Sequence, residues 1–444
     1  MSTPDALASE YAATCATRRF GLDARLSPDA MGSVSALITV RMLCAPIGNG
    51  GDVRALIVES GFTRGAVAGC RALARAGWTV GIGSPSANGL AASSRYSDRW
   101  HKVRPVEEDL DAFLNACERA VVEGGYEVIF CTEDAQVLGL SFGRDRISAK
   151  IPYPRHEVVV RAFDKMELTR AAQEVGMAAP ETVLADDRAI SDVGMPVLVK
   201  SRLHWTPGAQ GAPSRLEAAI CSDRDDIHRR VREIRAHGGE AVLQEVIRGR
   251  LIHYLVVVDS GGEIIDGVQT LAEPLFYPGP DIGQRIRSVS VPVDPELHKK
   301  TAALMRELEW EGMASLNLLL PDGGGEPALI DFNGRYGASF DQYIAAGSNF
   351  PAVWACLATE RSLPPLREAK AGVRFQWLEG DLRRAWRQRR GGLLRDVIDC
   401  LAYSRGAVHT LWRIDDPMPA VRLGARLADE IVGKLLPGHV RGDD

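Results

Sequence analysis

Between residues 54 and 131 the chain alternates short apolar runs with stretches of helical period. "RALIVES" (54–60), "WTVGIG" (78–83) and "YEVIFC" (126–131) predict three short buried strands. Between the first two, Val67, Cys70, Leu73 and Ala74 recur at helical spacing until Gly77 ends the run, and a longer polar helix is predicted over about 107–123. Strand, helix and strand in repetition predict a parallel sheet with helices packed on it.

The pattern changes after residue 160. Asp164 with Glu167 three positions on predicts a capped helix start, Gly176 its end, and Pro180 bars continuation. "MPVLVKS" (195–201) is a strand ending near Lys200, followed by the small-residue loop "TPGAQGAP" (206–213). "AVLQEVI" (241–247), "LIHYLVVV" (251–258) and "GEIIDGVQ" (262–269) predict antiparallel strands. Asp294 as N-cap with Pro295 at N1 opens another helix, which leads into "MASLNLLL" (313–320), the turn "PDGGGEP" and the strand "ALIDFN". Beyond about 361 the chain is Arg-rich and then helical. The expected organisation is an N-terminal extension over 1–53, poorly ordered and dispensable, an α/β Rossmann-like unit over 54–160, an α+β unit over 161–360, and a helical region over 361–444.

One strand breaks its own pattern. In "ALIDFNGRYGAS" (328–339), Asp331 and Asn333 share a face and Arg335 follows. A hairpin symmetric about Gly324 sets Asn317 directly opposite Asp331. Asn317, Asp331 and Asn333 offer only oxygen and amide groups, which suit a hard cation such as Mg²⁺, and Arg335 can hold a phosphate in a two-pronged grip. The same spacing equally describes a polar strand edge with an Asp–Arg pair. Lys200 ends an apolar strand, where an ammonium is costly to bury without an anion, though a surface Lys fits the pattern as well. His253, on an apolar strand, reads as a structural histidine.

Composition narrows the classes. A chain of 444 residues with 45% hydrophobic and 25% charged residues is globular and long enough for about three domains. A net charge of −5 gives no argument for nucleic acid as a partner, and no apolar run is long enough to span a membrane. The eight cysteines lack metal-site spacing and predict reduced thiols and a cytoplasmic protein. "GLSFG" (139–143) matches a nucleophile elbow around Ser141, but it falls in a stretch that reads as helix rather than directly after a strand. "GIGSPSANG" (81–89) lacks the third glycine of a dinucleotide loop, and "DLRRAWRQRRGG" (381–392) fits a solvated basic helix face, with contact to an anionic substrate, a partner or a membrane surface as the alternative.

Taken together, the capped helix at Asp164, the strand ending in Lys200, the small-residue loop, the "LQEVIRG" strand, an Arg-bearing strand and the Asn, Asp, Asn, Arg hairpin resemble the ATP-grasp superfamily over about residues 54–360. Within it the likeness is to carbamoyl-phosphate synthase and bacterial carboxylate–amine ligases, with "LIDFNGRYGAS" similar to their Glu-x-Asn-Pro-Arg signature. The resemblance implies a Rossmann-like pre-ATP-grasp domain, an ATP-grasp fold and a C-terminal helical extension. It implies that Lys165 and Lys200 contact ATP phosphates beneath a loop carrying Gly208 and Gly211. Gln244, Glu245 and Ile247 would meet the adenine, Asn317, Asp331 and Asn333 would hold Mg²⁺, with Mn²⁺ as a substitute, and Arg287 and Arg335 would face the transferred phosphoryl group or the substrate carboxylate. Asn317 stands where an acidic ligand is usual, Asp331 replaces Glu, Gly334 replaces Pro, and Leu251 replaces a ribose-binding Glu. The implied activity is ATP-dependent joining of a small-molecule carboxylate to an amine. Homo-oligomerisation is left open, and phosphotransfer to a stable product or nucleotide binding without turnover are the alternatives.

Overall fold

The computed structural model describes residues 53–205, 218–278 and 283–435. The expected N-terminal extension, apart from Val53, and the loop bearing Gly208 and Gly211 lie outside the described residues.

The first layer comprises β1 (Arg54–Val58), α1 (Arg64–Arg75), β2 (Thr79–Ser84), β3 (Ser97–Lys102), α2 (Leu110–Gly124), β4 (Val128–Cys131) and α3 (Asp134–Phe142). Its four strands run parallel in the order β3-β2-β1-β4. The three apolar runs are β1, β2 and β4, buried along most of their length because helices cover the sheet. The fourth strand, "SDRWHK", was not expected: it lies at the edge with one neighbour, so its outer residues stay polar and carry no strand-like alternation.

Next, α4 (His156–Phe163) runs into α5 (Lys165–Glu174). Asp164 caps α5 as expected, accepting from the backbone N–H groups of Met166 and Glu167. A second sheet is built from β5 (Thr182–Leu184), α6 (Asp187–Asp192), β6 (Val197–Ser201), β7 (Ala219–Cys221), α7 (Arg224–Ala236) and β8 (Ala241–Glu245). It is antiparallel in the order β5-β8-β6-β7 and has its own small core, including Val197, Val199, Ile227, Val231 and Leu243.

The remaining elements are β9 (Gly249–Val258), β10 (Ile264–Ala272), the ribbon β11 (Phe276–Pro278) and β12 (Gly283–Arg285), β13 (Arg287–Val291), α8 (Pro295–Glu307), β14 (Gly312–Pro321) and β15 (Ala328–Asn333). They are followed by α9 (Phe340–Ala346), α10 (Phe350–Ala358), β16 (Arg374–Gln376), α11 (Leu378–Gln388), α12 (Leu393–Ser404) and α13 (Met418–Leu435). Six of these strands form an antiparallel sheet in the order β15-β14-β9-β10-β13-β16.

A continuous apolar core joins the parallel sheet to the six-stranded sheet. At their junction the Phe130 ring stacks on Tyr336 with centroids 5.0 Å apart and meets Trp354 at 4.8 Å. Gly69 on α1 admits that contact, since a Cβ there would collide with the Tyr336 ring. Gly334 has a similar reason: the Trp310 ring occupies the space a side chain would need. The chain beyond residue 361 is tied back by buried ion pairs, Arg71 to Asp416 at 2.7 Å and Arg287 to Asp381 at 2.6 Å. Among the described residues no helix is long and apolar enough to cross a membrane, and the six cysteines there are free and buried.

Candidate active site

The β14–β15 hairpin pairs Asn317 with Asp331 and Ser315 with Asn333, the register expected from its turn. On the other side of β14, His253 of β9 stands opposite Asn317. Residues directly opposite one another in an antiparallel sheet point to one face, so His253, Asn317 and Asp331 form a polar row. These residues, with Ser315, Asn333 and Arg335, line a cleft of about 610 Å³. Its facing walls come from the chain after β1 and β4, at the C-terminal end of the parallel sheet, and from the region beyond residue 374.

Asp331 is the electrostatic centre. Its carboxylate accepts from Lys165 Nζ at 2.5 Å and from Asn333 Nδ2 at 3.3 Å. Burial acts to raise this carboxyl, but Lys165, Lys200 and His204 outweigh it and hold the group well below the usual carboxylate range. Lys200 Nζ donates to the Ile330 carbonyl at 3.1 Å. Burial and the neighbouring Lys165 charge pull its pKa down to about 7, with Asp331 opposing. His253 is pushed well below its ordinary value by burial and by Arg285, so it is neutral. Its Nδ1 shares a long hydrogen bond with Ser315 Oγ, at 3.4 Å.

Arg335 donates from Nε to Asp134 at 2.6 Å and from a terminal nitrogen to Asn333 Oδ1 at 2.8 Å. Asp134 also receives His204 Nδ1 at 2.7 Å, so the first turn of α3 anchors the cationic edge of the cleft. The amide oxygen of Asn317 is buried and has no hydrogen-bond partner. An orphaned oxygen beside an ionised carboxylate is what a hard cation would satisfy, and these residues therefore fit Mg²⁺. No cluster of three or more His, Cys, Asp or Glu placed for a metal occurs among the described residues, so any such ion would rest on the amides as well.

The structure thus brings together Lys165, Lys200, Asn317, Asp331, Asn333 and Arg335. Arg287 is not brought to the cleft. It is buried and held by Asp381 at 2.6 Å and Asp399 at 2.8 Å, with the Tyr403 ring over its guanidinium. The reason is a break between β12 and β13 at Ile286, which turns Arg287 toward the C-terminal helices and leaves Arg285 to line the cleft. Gln244 and Glu245 instead line a separate cavity of about 880 Å³ beside β5 and α6. There Gln244 donates to Thr182 at 2.8 Å. Strand β8 ends at Glu245, so Ile247 lies in the following loop.

Ser141 is buried near the C-terminal end of α3, bonded to the Leu138 carbonyl and to His156 Nδ1 at 2.9 Å, which removes the tight strand-to-helix turn that a nucleophile elbow requires. The basic stretch 381–392 is only partly a solvated face: Arg384 is buried between Asp381 and Asp396, and Arg383 lines the cleft. The sequence reading missed Arg64, Asp134 and Arg285, and took His253 as structural only. Only Asp134 carries a legible signal, being an acidic residue just beyond the C-terminal end of the buried parallel strand β4.

No protein-family profile matches the chain, and no curated protein matches its sequence. Solved structures do match. Biotin carboxylase from Campylobacter jejuni, in a complex with β-γ-ATP, gives a TM-score of 0.56 at 17% identity over 72% of this chain and 74% of that one. The biotin carboxylase domain of 2-oxoglutarate carboxylase from Hydrogenobacter thermophilus, with MgADP and bicarbonate, gives 0.55 at 17% over 72% and 73%. An L-amino acid ligase from Bacillus licheniformis gives 0.55 at 15% over 72% and 76%. The chain shares the ATP-grasp fold of these neighbours, with a four-stranded parallel sheet, antiparallel sheets of six and four strands, and a two-stranded ribbon.

Proposed function

We propose that the chain is an ATP- and Mg²⁺-dependent ligase that converts a small-molecule carboxylate to an acyl phosphate and passes the acyl group to an amine, releasing ADP and phosphate. The observation that carries this reading is the orphaned Asn317 oxygen beside Asp331, both lining the cleft, with the Asp331 charge offset by Lys165 and Lys200. A carboxylate resists attack because it is anionic and lacks a leaving group. Transfer of the terminal phosphoryl group of ATP to a carboxylate oxygen supplies one, and the protein's task is positioning and charge neutralisation.

Lys165, Lys200 and Arg335 would neutralise the phosphates and orient the carboxylate. Mg²⁺ held by Asn317, Asp331 and Asn333, with Mn²⁺ as a substitute, would supply further positive charge against the transferring group. Gly208 and Gly211 would close over the phosphates, and backbone groups at Gln244, Glu245 and Ile247 would meet the adenine. Residues 54–160 would act as a Rossmann-like pre-ATP-grasp domain, 161–360 as the nucleotide and metal domain and 361–444 as a helical extension, in a cytoplasmic protein.

The test is ADP release from Mg²⁺ and ATP across a panel of carboxylic and amino acids. ADP formation that depends on one class of acid supports the reading. A protein that binds ATP yet releases no ADP with any acid and amine pair contradicts it.

A further inference from the structure

Among the described residues, the buried arginines Arg71, Arg287 and Arg384 have carboxylate partners, Asp416, Asp381 and Asp396, and the part-buried Arg335 has Asp134, all at 2.6–2.7 Å. Three arginines lining the cleft break that habit. Among the described residues, Arg64, Arg285 and Arg383 have no carboxylate within ion-pair distance.

The hydrogen bonds of Arg64 and Arg285 are to neutral groups. Arg64 donates to Gln284 Oε1 at 2.6 Å, and its guanidinium carbon lies 3.9 Å from the centroid of the Trp377 ring. Arg285 donates to Thr270 at 2.8 Å, Ser339 at 2.6 Å and Tyr343 at 3.0 Å. Such contacts fix the orientation of a guanidinium without neutralising it. The only carboxylate on this wall among the described residues is Glu379, whose Oε2 accepts from Trp412 Nε1 at 3.4 Å. Burial pulls the Arg64 pKa down to about 10, Glu379 opposes this, and Arg285 adds to it, so two cations repel across the cleft.

Desolvated like charges without a counter-ion are unfavourable, and a preoriented guanidinium fork matches the oxygens of a carboxylate or phosphate. We propose that the wall formed by Arg64, Arg383 and Trp377, flanked by Arg285, is a recognition subsite for a second anionic group of the substrate, distinct from the carboxylate that reacts. This inference rests on the ligase reading for which group is the second one. The anion itself is a carboxylate or a phosphate, and Trp377 supports it by holding the plane of Arg64.

The experiment is equilibrium calorimetry on the full chain with three probes: butyrate, glutarate and phosphonoacetate. Binding of glutarate or phosphonoacetate at least about tenfold tighter than butyrate, with the preference lost in Arg64→Ala while ATP binding is unchanged, is the expected result. Glutarate as the tighter ligand identifies a carboxylate, and phosphonoacetate a phosphate. Equal binding of all three, or a preference that survives Arg64→Ala, overturns the subsite. If that variant does not fold, Arg383→Gln serves in the same comparison. A protein that shows the preference but never turns over ATP keeps the subsite and loses the ligase reading. Turnover of monocarboxylates with no preference does the reverse.

Discussion

Asp331 concentrates the chemistry of the cleft, because it faces Lys165, Asn317 and Asn333 at once. Asp331→Ala should lower turnover at least about a hundredfold, the scale on which a main electrostatic element at a reacting group acts. Steady-state kinetics with near-wild-type turnover would remove Asp331 from the site. Lys200 gives a pH prediction. Its folded pKa is about 7 against an ordinary 10.5, so the cost of burying its charge is fully present below pH 7 and fades as pH rises toward the unfolded value. ATP phosphates would favour the charged form, so binding near pH 8 should take up close to one proton. Calorimetry in buffers of different ionisation enthalpy should show that uptake in the wild type and not in Lys200→Ala. No uptake in the wild type would place Lys200 away from the phosphates. At this scale the caps at Asp164 and Asp294 and the facing of Asn317 and Asp331 were legible, because each depends on local spacing. Arg285 and Arg287 were not, because which of them faces the cleft depends on the break at Ile286, and Arg287's partners lie about a hundred residues away in the C-terminal helices.

At the scale of elements, the ties that bind the C-terminal helices to the six-stranded sheet are ionic. Arg287 bridges β13 to Asp381 on α11 and Asp399 on α12, and Arg384 continues the network to Asp396. Removing one partner of a buried pair leaves the others uncompensated. Arg287→Ala should therefore destabilise the fold by about 3 kcal/mol, read by denaturant unfolding, while the folded variant keeps its ATP affinity. A large loss of ATP affinity with unchanged stability would return Arg287 to a role at the phosphates. The same reasoning explains what the element pattern could and could not tell. Strands β1, β2, β4, β9 and β14 are covered by other layers and read as apolar runs. Strand β3 is an edge and α4 abuts α5 without a capped start of its own, so neither carries a periodic signal that separates it from its surroundings.

At the scale of the molecule, the cleft lies where the C-terminal end of a parallel sheet meets the face of an antiparallel one. The sequence signals for strands and helices begin at Arg54, so a chain lacking residues 1–50 should fold with an unchanged melting temperature and keep its activity, and an insoluble product would contradict this. The two sheet types were legible because buried parallel strands and hairpin-linked strands differ in sequence period. The wall supplied by the region beyond residue 374 was not, since its closure over the cleft depends on long-range pairs such as Arg71 with Asp416. The central claim is that ATP activates a carboxylate. Incubation with Mg²⁺, ATP, the acid that supports ADP release and hydroxylamine should yield a hydroxamate in proportion to ADP. ADP formed without hydroxamate, together with a stable phosphorylated product, would instead make the protein a phosphotransferase.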